Sequence, residues 1–422
     1  MPSETPADHG HDPAPIPVDQ HLLRILDAIE PLPPYDQPLL EAMGLPIAED
    51  VSADGPLPAF DNSGMDGYAV VFRDVAEASS QRPVHLPVVG EIAAGGGGGA
   101  TMAMSPGTAV RIMTGAPIPQ GCTAVVPVEW TDGGTVKVLV EQAPEEGQHI
   151  RRAGEDVRAG DRLMSAGDLI GPRQIGLLAS VGRSRVAARP RPRVVVISTG
   201  DELREPGEKL GPDSIYDGNS FMLAGAARAV GAIAYRVGIV RDDGEGFASA
   251  LSDQLVRADV VVTSGGVSKG AYDVVKEVLS AQGGVQFDEV AMQPGKPQGF
   301  GFVGEDHTPI FTLPGNSVSS YVSFEVFVVP ALRKMMGRDV LSRPMMRATT
   351  TAPISSVQGR RQYVRGRYQV GREGATVTPV GGHGSHLVGD LANANALVVL
   401  AEQQTTVAPG QPVPVLVLDR EF

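Results

Sequence analysis

The sequence predicts a multidomain α/β protein: a central, mostly parallel sheet covered by helices, two β-rich domains and a helical linking domain. Three observations carry this. Val194-Val195-Val196-Ile197 and Asp259-Val260-Val261-Val262-Thr263 are short continuous apolar runs, the pattern of strands buried on both faces. Strand-like and helix-like segments alternate through residues 190–336, as repeated βα units do. The regions on either side are short β-prone stretches broken by turn residues, in a chain with 52 glycines and 35 prolines. At 422 residues the chain exceeds what one small core organises.

Residues 1–19 are rich in Pro, His and acids without an apolar period and read as a disordered tail, with His9 and His11 incidental. Leu22, Leu23, Leu26 and Ile29 recur at helical spacing until Pro31, and Leu39 to Ala48 gives a second short helical stretch. Residues 20–52 and 148–188 are expected to form one discontinuous helical domain that links and dimerises. The segments Leu22–Ala48 and Asp156–Gly182 supply its apolar surface.

Residues 53–147 hold β-prone segments at 68–71, 84–89, 109–113, 124–128 and 136–140, predicting an inserted β domain. The glycine run 95–99 reads as a hairpin or surface loop, because Pro106-Gly107 rather than a helix follows it. Residues 189–338 are the α/β domain. Strand Arg193–Ser198 leads to helix Asn219–Ala229, with Asn219 as N-cap and Gly231 as stop. Strand Ala232–Val240 precedes a helix carrying Phe247, Leu251 and Leu255, and strand Asp259–Thr263 one carrying Val274, Val275, Val278 and Leu279. Ile310–Leu313 passes through Pro314-Gly315-Asn316 into a long apolar helix from Ser317 to about Met336. Residues 339–422 return to β texture, near 347–351, 362–369, 376–380, 396–400 and 413–418.

Net charge of −14 argues against non-specific nucleic-acid binding, which needs a basic face. The lone Cys122 allows neither an intramolecular disulfide nor a cysteine zinc site, and reads as a buried structural thiol. No apolar stretch spans a bilayer and no secretory signal opens the chain, so a cytoplasmic location is expected.

The chemistry gathers at strand exits. Thr199-Gly200-Asp201-Glu202, Asp242-Asp243-Gly244 and Ser264-Gly265-Gly266 with Asp273 each follow a strand of one sheet. Ligands of open α/β sheets bind beyond those ends, and Mg²⁺ takes one or two carboxylates with water and phosphate. Each acid alone is equally an N-cap or turn residue; three exits delivering acids favour a site. Gln293-Pro294-Gly295-Lys296-Pro297 offers a cation on a stiff loop to an oxyanion. Ser317 and Ser319 at the helix start either cap it or share that anion. Asp61-Asn62-Ser63-Gly64-Met65-Asp66-Gly67 crowds polar groups into one turn, which is a site or a tight Asp-Gly turn. Arg151 to Asp156, read alone, is an exposed charge cluster. Arg360, Arg361, Arg365 and Arg367 with Gly381-Gly382-His383-Gly384-Ser385-His386 form a basic patch whose histidines lack a zinc pattern.

The ordered set resembles the MoeA family of molybdopterin molybdenumtransferases, itself similar to the E domain of gephyrin. Asp61 to Ala69, Arg111-Ile112-Met113-Thr114-Gly115-Ala116, Arg152-Ala153-Gly154-Glu155-Asp156, Ser198-Thr199-Gly200-Asp201-Glu202-Leu203, Ser264-Gly265-Gly266-Val267-Ser268, Pro294-Gly295-Lys296-Pro297 and Leu313-Pro314-Gly315-Asn316 carry it. It extends from about Leu22 to the C-terminus. The resemblance implies a four-part, elongated homodimer whose α/β domain is of the molybdopterin-binding type. Its site would lie between that domain and neighbouring β domains, the partner's included. The implied reaction inserts molybdate into the dithiolene of adenylylated molybdopterin with Mg²⁺-dependent loss of AMP.

By motif position the implied catalytic residues are Asp66, Asp156, Glu202, Asp242, Asp273 and Lys296, with Glu202, Asp242 and Asp273 holding Mg²⁺. Thr114, Ser264, Gly265, Gly266, Pro297, Pro314, Ser319, Arg365 and Ser385 are expected to meet substrate or oxyanion. Further expected partners are the molybdopterin adenylyltransferase and molybdoenzyme-maturation proteins. Where some members carry basic residues, this chain has Gln293 and Glu289, and Ser317 stands where a proline follows Pro-Gly-Asn. Those departures leave a tungstate-inserting paralogue open. A nicotinamide oxidoreductase would need a Gly-x-Gly-x-x-Gly turn after a strand, which is missing. An adenylyltransferase leaves the β domains unexplained, and a non-catalytic scaffold of the same fold has no need of clustered acids.

Overall fold

The structure is a computed structural model describing residues 14–95, 102–265 and 274–419. The chain forms two compact units. One comprises the chain up to Tyr35, Gly44–Ala48 and everything from Ala187; the other comprises Asp36–Met43 and Glu49–Val186.

In the first unit, the alternating apolar runs build β1 (Arg193–Ser198), α1 (Asn219–Ala229), β2 (Ile233–Arg236), α2 (Gly244–Leu255), β3 (Val260–Ser264) and α3 (Val274–Gln282). They continue as β4 (Val285–Glu289), β5 (Pro297–Val303) and β6 (Thr308–Leu313). Helix α4 starts over Ser317–Ser323, widens through a π turn at Phe324–Val328 and resumes over Val329–Met335. Pro330, which has no amide to donate, sits where the helix resumes. The six strands run in the order β2-β1-β3-β6-β5-β4. β2, β1, β3 and β6 are parallel; at one edge β5 pairs antiparallel with β6, and β4 antiparallel with β5. Alternate residues of each parallel strand feed opposite faces. Val194, Val196, Val260, Val262 and Phe311 pack with α1 and α4, while Val195, Ile197, Val261 and Ile310 pack with α2 and α3. Both faces are apolar over most of their length, and polar side chains gather towards the carboxyl ends, from Thr263 and Thr312 outward.

The last strands form a closed barrel. Arg361–Gly371, Gly374–Pro379, Met345–Thr350, Pro412–Val417 and Ala396–Leu400 pair in that order, and Ala396–Leu400 returns to Arg361–Gly371. Closure removes the edges around a core of Val377, Val398, Leu400, Val413 and Val415. Met292–Gln293 adds a short parallel strand beside Arg361–Gln362.

The second unit is built on a five-stranded sheet ordered Ala124–Pro127, Gly67–Val70, Ala109–Ile112, Val84–Ile92, Lys137–Val140. All five strands match β-prone segments of the sequence, and Tyr68, fully buried, sits in their core.

Several local expectations change. Of the expected tail, residues 1–13, including His9 and His11, lie outside the described residues, but Ile16 to Asp19 belong to the fold. Ile16 bridges Val290, and Asp19 accepts from Arg361 at 2.6 and 2.8 Å. The helix Val18–Ala28, expected with residues 148–188, buries Val18, His21 and Ile25 against the α/β core, because its apolar face meets α4. Residues 39–44 form hydrogen-bonded turns rather than a helix, with Ala42 N donating to Pro38 O at 3.1 Å. Within 156–182 only Pro172–Ser180 is helical, since Gly160, Gly167, Gly171 and turn-forming acids interrupt the rest. The strand expected over Ala232–Val240 is confined to Ile233–Arg236.

His21 is 1% exposed, with its ring 4.8 Å edge-to-face from Phe327. Its Nδ1 lies 3.0 Å from an Arg24 guanidinium, which donates there only to a neutral ring. Burial, helped by Arg24 and opposed by Asp288, lowers its pKa from 6.5 to about 4. The unfolded chain therefore binds this proton first as pH falls. We expect stability to drop from pH 6.5 to about 4, with that part of the loss absent in His21→Leu. Urea midpoints of both proteins across this range check it.

Candidate active site

Register sets the site. Ser198 of β1 pairs with Ser264 of β3, and Ser264 with Leu313 of β6, so three parallel strands end level. Strand order reverses between β1 and β3, because β2 lies on one side of β1 and β3 on the other. Loops diverge at such a switch point and leave a crevice. Here it is a cleft of about 390 Å³. Thr199 and Glu202 form one wall and Gly265, Gly315, Asn316 and Ser317 another. Asp217 and Asn219 line the base of α1, and His386 and Val388 enter from the C-terminal β region. Gly265 has φ +100, where only glycine sits without strain. At Gly200 a Cβ would stand 2.7 and 2.8 Å from the carboxylate oxygens of Glu202, which folds back over it.

Of the predicted residues, Glu202, Ser264 and Gly265 meet in this cleft. Asp242 lies on the neighbouring loop after β2, its amide 3.4 Å from Asp201 Oδ1. Asp243 is committed to capping α2, accepting from Gly246 N at 2.5 Å. Gly266 and Asp273 lie outside the described residues. Among the described residues, no three His, Cys, Asp or Glu side chains are grouped to hold a metal ion. Buried Pro314 follows β6, and Ser319, 5% exposed, lies in the first turn of α4. The amide of Val318 in that turn donates to Ser385 O at 3.0 Å, so one helix-start donor is already satisfied within the protein.

Pro297 opens β5 at the same sheet edge, because β5 runs antiparallel to β6 with Gly299 opposite Thr312. Two strand spacings place Lys296 roughly 10 Å from the end of β3. Its Nζ lies 2.6 Å from Glu289, and Gln293 accepts from Arg360 at 3.1 Å. Arg365 is 4% exposed; it donates to Gly384 O at 3.0 Å and to Gly382 O. Its Nε has no partner among the described residues, and burial lowers its pKa. Expected on the oxyanion, Arg365 is tied by its guanidinium to the loop that bears Ser385, two carbonyls of which accept from it.

In the second unit Asp66 Oδ1 accepts from both the amide and the hydroxyl of Thr114 at 2.7 Å, and these bonds pull its carboxyl below the usual range. Arg152 reaches Asp61 at 2.6 Å and Glu155 Oε2 accepts the Arg152 amide at 2.9 Å, so this charge cluster is largely turn chemistry. Asp156 is exposed, on a turn whose amide donates to Leu57 O. Cys122 donates to Ala124 O, and burial raises its thiol to about 11, as for a structural thiol.

Sequence reasoning overlooked Asp217, and it took Asn219 for an N-cap. Gly218 is the cap residue, and the Asn219 amide instead donates to Ser264 Oγ at 2.9 Å and Gly315 O at 2.6 Å, joining two strand exits. The signal present was the polar run Tyr216-Asp217-Gly218-Asn219 ahead of a helix.

Family models match in chain order: the MoeA N-terminal region (domain I and II) over residues 16–182, a probable molybdopterin binding domain over 195–334, and the MoeA C-terminal region (domain IV) over 347–418. Molybdopterin molybdenumtransferase 2 of Mycobacterium tuberculosis is 45% identical over 94% of this chain and 98% of its own. The chain belongs to the MoeA family. The molybdopterin molybdenumtransferase of Haemophilus influenzae is 36% identical over 89% of this chain and 92% of its own. The solved molybdopterin biosynthesis MoeA protein of Pyrococcus horikoshii superposes with a TM-score of 0.79 at 30% identity, covering 96% of this chain and 100% of that one. The multidomain α/β architecture is thus that of MoeA proteins.

The contact of Gly200 with Glu202 yields a prediction. Gly200→Ala should turn the Glu202 carboxylate out of the cleft, since the end of a flexible side chain yields more readily than backbone. Stability should fall by about 1–3 kcal/mol, because Gly200 is buried at φ +155, a backbone conformation that side chains with a Cβ rarely adopt. A crystal structure of the variant and a urea melt check both parts.

Proposed function

We propose that this MoeA-family chain inserts molybdate into the dithiolene of adenylylated molybdopterin and releases AMP in a Mg²⁺-dependent step, yielding the molybdenum cofactor. The observation that carries this reading is the cleft at the level ends of β1, β3 and β6, where glycine and hydroxyl loops converge with Glu202. Small loops of this kind let a phosphate approach the backbone closely.

Mg²⁺ suits the donors present. Glu202 and Asp242 are exposed hard oxygen ligands on adjacent loops, and the ion needs only one or two carboxylates beside water and phosphate oxygens. Glu202 and Asp242, with Asp273 beyond β3, are the proposed ligands. When bound, the ion would neutralise the phosphoanhydride oxygens as AMP leaves. Ser264, Gly265 and Gly266 would seat the phosphate. Pro297 and Pro314 stiffen the loops, and Ser319 sits at the start of α4. Arg365, which holds the loop bearing Ser385, would meet the oxyanion together with Ser385. For Asp66, Thr114 and Asp156 the functional assignment rests on the family motifs. Incubation with adenylylated molybdopterin, molybdate and Mg²⁺ should yield AMP and cofactor; AMP release undiminished without Mg²⁺ would remove the metal from the reading.

Lys296 is the proposed cation for molybdate. It is paired with Glu289, so the incoming oxyanion competes with a carboxylate. Lys296→Ala should raise half-saturating molybdate by about tenfold or more, the loss of a charge-assisted contact of about 1.5–3 kcal/mol. Glu289→Gln should lower it. A molybdate titration at saturating adenylylated molybdopterin checks both; unchanged half-saturation with weaker binding of that substrate would move Lys296 to the nucleotide or pterin.

A cytoplasmic homodimer is the proposed assembly. Leu40, Met43 and Leu169 are 76%, 47% and 49% exposed in the segments expected to meet a second copy, apolar side chains that such a copy would cover. No helix among the described residues is long and apolar enough to cross a membrane. Sedimentation at micromolar concentration should give a dimer, and a stable monomer would overturn the assembly.

A further inference from the structure

We propose that Asp217 is a positioning residue that sets the spacing of the Glu202 and Asp242 loops; the inference rests on the reading that both carboxylates serve one hard cation. Asp217 is 1% exposed. Its Oδ1 accepts from Ser198 Oγ, the last residue of β1, at 3.1 Å and from the Ser220 amide at 3.0 Å. Its Oδ2 accepts from Ser220 Oγ at 2.5 Å and lies 3.6 Å from Arg236 Nη2.

Arg236 ends β2, the strand that leads to Asp242. The same guanidinium donates to both carboxylate oxygens of Glu205 at 3.0 and 3.1 Å and to Ser220 Oγ at 2.7 Å, and stacks 3.4 Å from the Phe221 ring centroid. Glu205 belongs to the loop that carries Glu202. The backbone closes the same frame: Ile215 N donates to Glu202 O at 2.9 Å, Asp217 N to Arg204 O at 2.9 Å and Gly200 N to Val240 O at 3.2 Å. A path of contacts therefore runs from the Glu202 loop through Asp217 and Arg236 to the strand that feeds Asp242. A buried carboxylate is costly unless its oxygens are satisfied. Here donors from the β1 exit, the α1 start and the β2 exit satisfy it together, so no one of these elements shifts without breaking the set.

The test compares Asp217→Asn and the milder rim variant Glu205→Gln with Glu202→Gln. Mn²⁺ serves as the probe ion, its binding followed by electron paramagnetic resonance in the presence of AMP, alongside Mg²⁺ dependence of turnover. In Asp217→Asn the Mn²⁺ dissociation constant should rise about 10–100-fold, the size of a supporting-residue effect. Glu205→Gln should shift it less, in the same direction. KM for adenylylated molybdopterin should stay constant, and excess Mg²⁺ should restore turnover, which a merely structural lesion would not allow. If Asp217→Asn does not fold, Glu205→Gln decides. Wild-type Mn²⁺ binding in the folded variants, with weakened binding in Glu202→Gln, would overturn the positioning role alone. Wild-type binding in Glu202→Gln would instead overturn the magnesium reading on which it rests.

Discussion

The constraint on which the site depends is the parallel register of β1, β3 and β6. Their interiors are largely Val, Ile and Phe surfaces buried on both faces, where a polar group without a partner is costly; Thr263 and Thr312, one residue before the ends of β3 and β6, are buried polar side chains just short of the cleft. Polarity is therefore expelled to the carboxyl ends, and because those ends are level the expelled groups share one cleft. The strand-order reversal between β1 and β3 keeps the loops from closing over it.

A second theme is how completely cations are engaged. Lys296 faces Glu289, Arg236 is shared by Glu205 and Asp217, and Arg361 holds both Asp19 and Glu402. Arg343 and Glu325 form a pair 7% and 3% exposed. Exposed pairs of this kind add little stability, whereas buried ones specify geometry when every donor is used. On the proposed role of Lys296, an oxyanion would have to compete with Glu289 for that cation.

The closed C-terminal barrel and the α/β domain are joined through the loops that bear Lys296 and Ser385. Met292–Gln293 pairs with the barrel strand beginning at Arg361, just before Pro294-Gly295-Lys296. Ser385 O satisfies the first turn of α4, and His386 reaches the cleft. Movement of the barrel would therefore be felt at Lys296 and at the start of α4 together, since loop and barrel share hydrogen bonds.

The four parallel strands of the α/β sheet, its helices and the five strands of the β-rich region were legible in the sequence because each is written locally, as an apolar run or period bounded by glycine, proline or acids; the antiparallel strands β4 and β5 at one edge, polar or glycine-rich, were not read. The acids at strand exits were legible for the same reason, and the ordered motifs pointed to the MoeA family. Local pattern does not encode which partner a side chain chooses. Asn219 looked like an N-cap and became a bridge between Ser264 and Gly315; the hold of Arg365 on the loop bearing Ser385 was not visible in the sequence. The Val18–Ala28 helix joined the α/β core because a face bearing Val18, His21 and Ile25 found α4, a match visible only when both surfaces exist. Asp217 drew no notice as one acid in a loop. Its importance arises because β1, α1 and β2, distant in sequence, converge on it, and such convergence is decided by sheet order and register rather than by neighbouring residues.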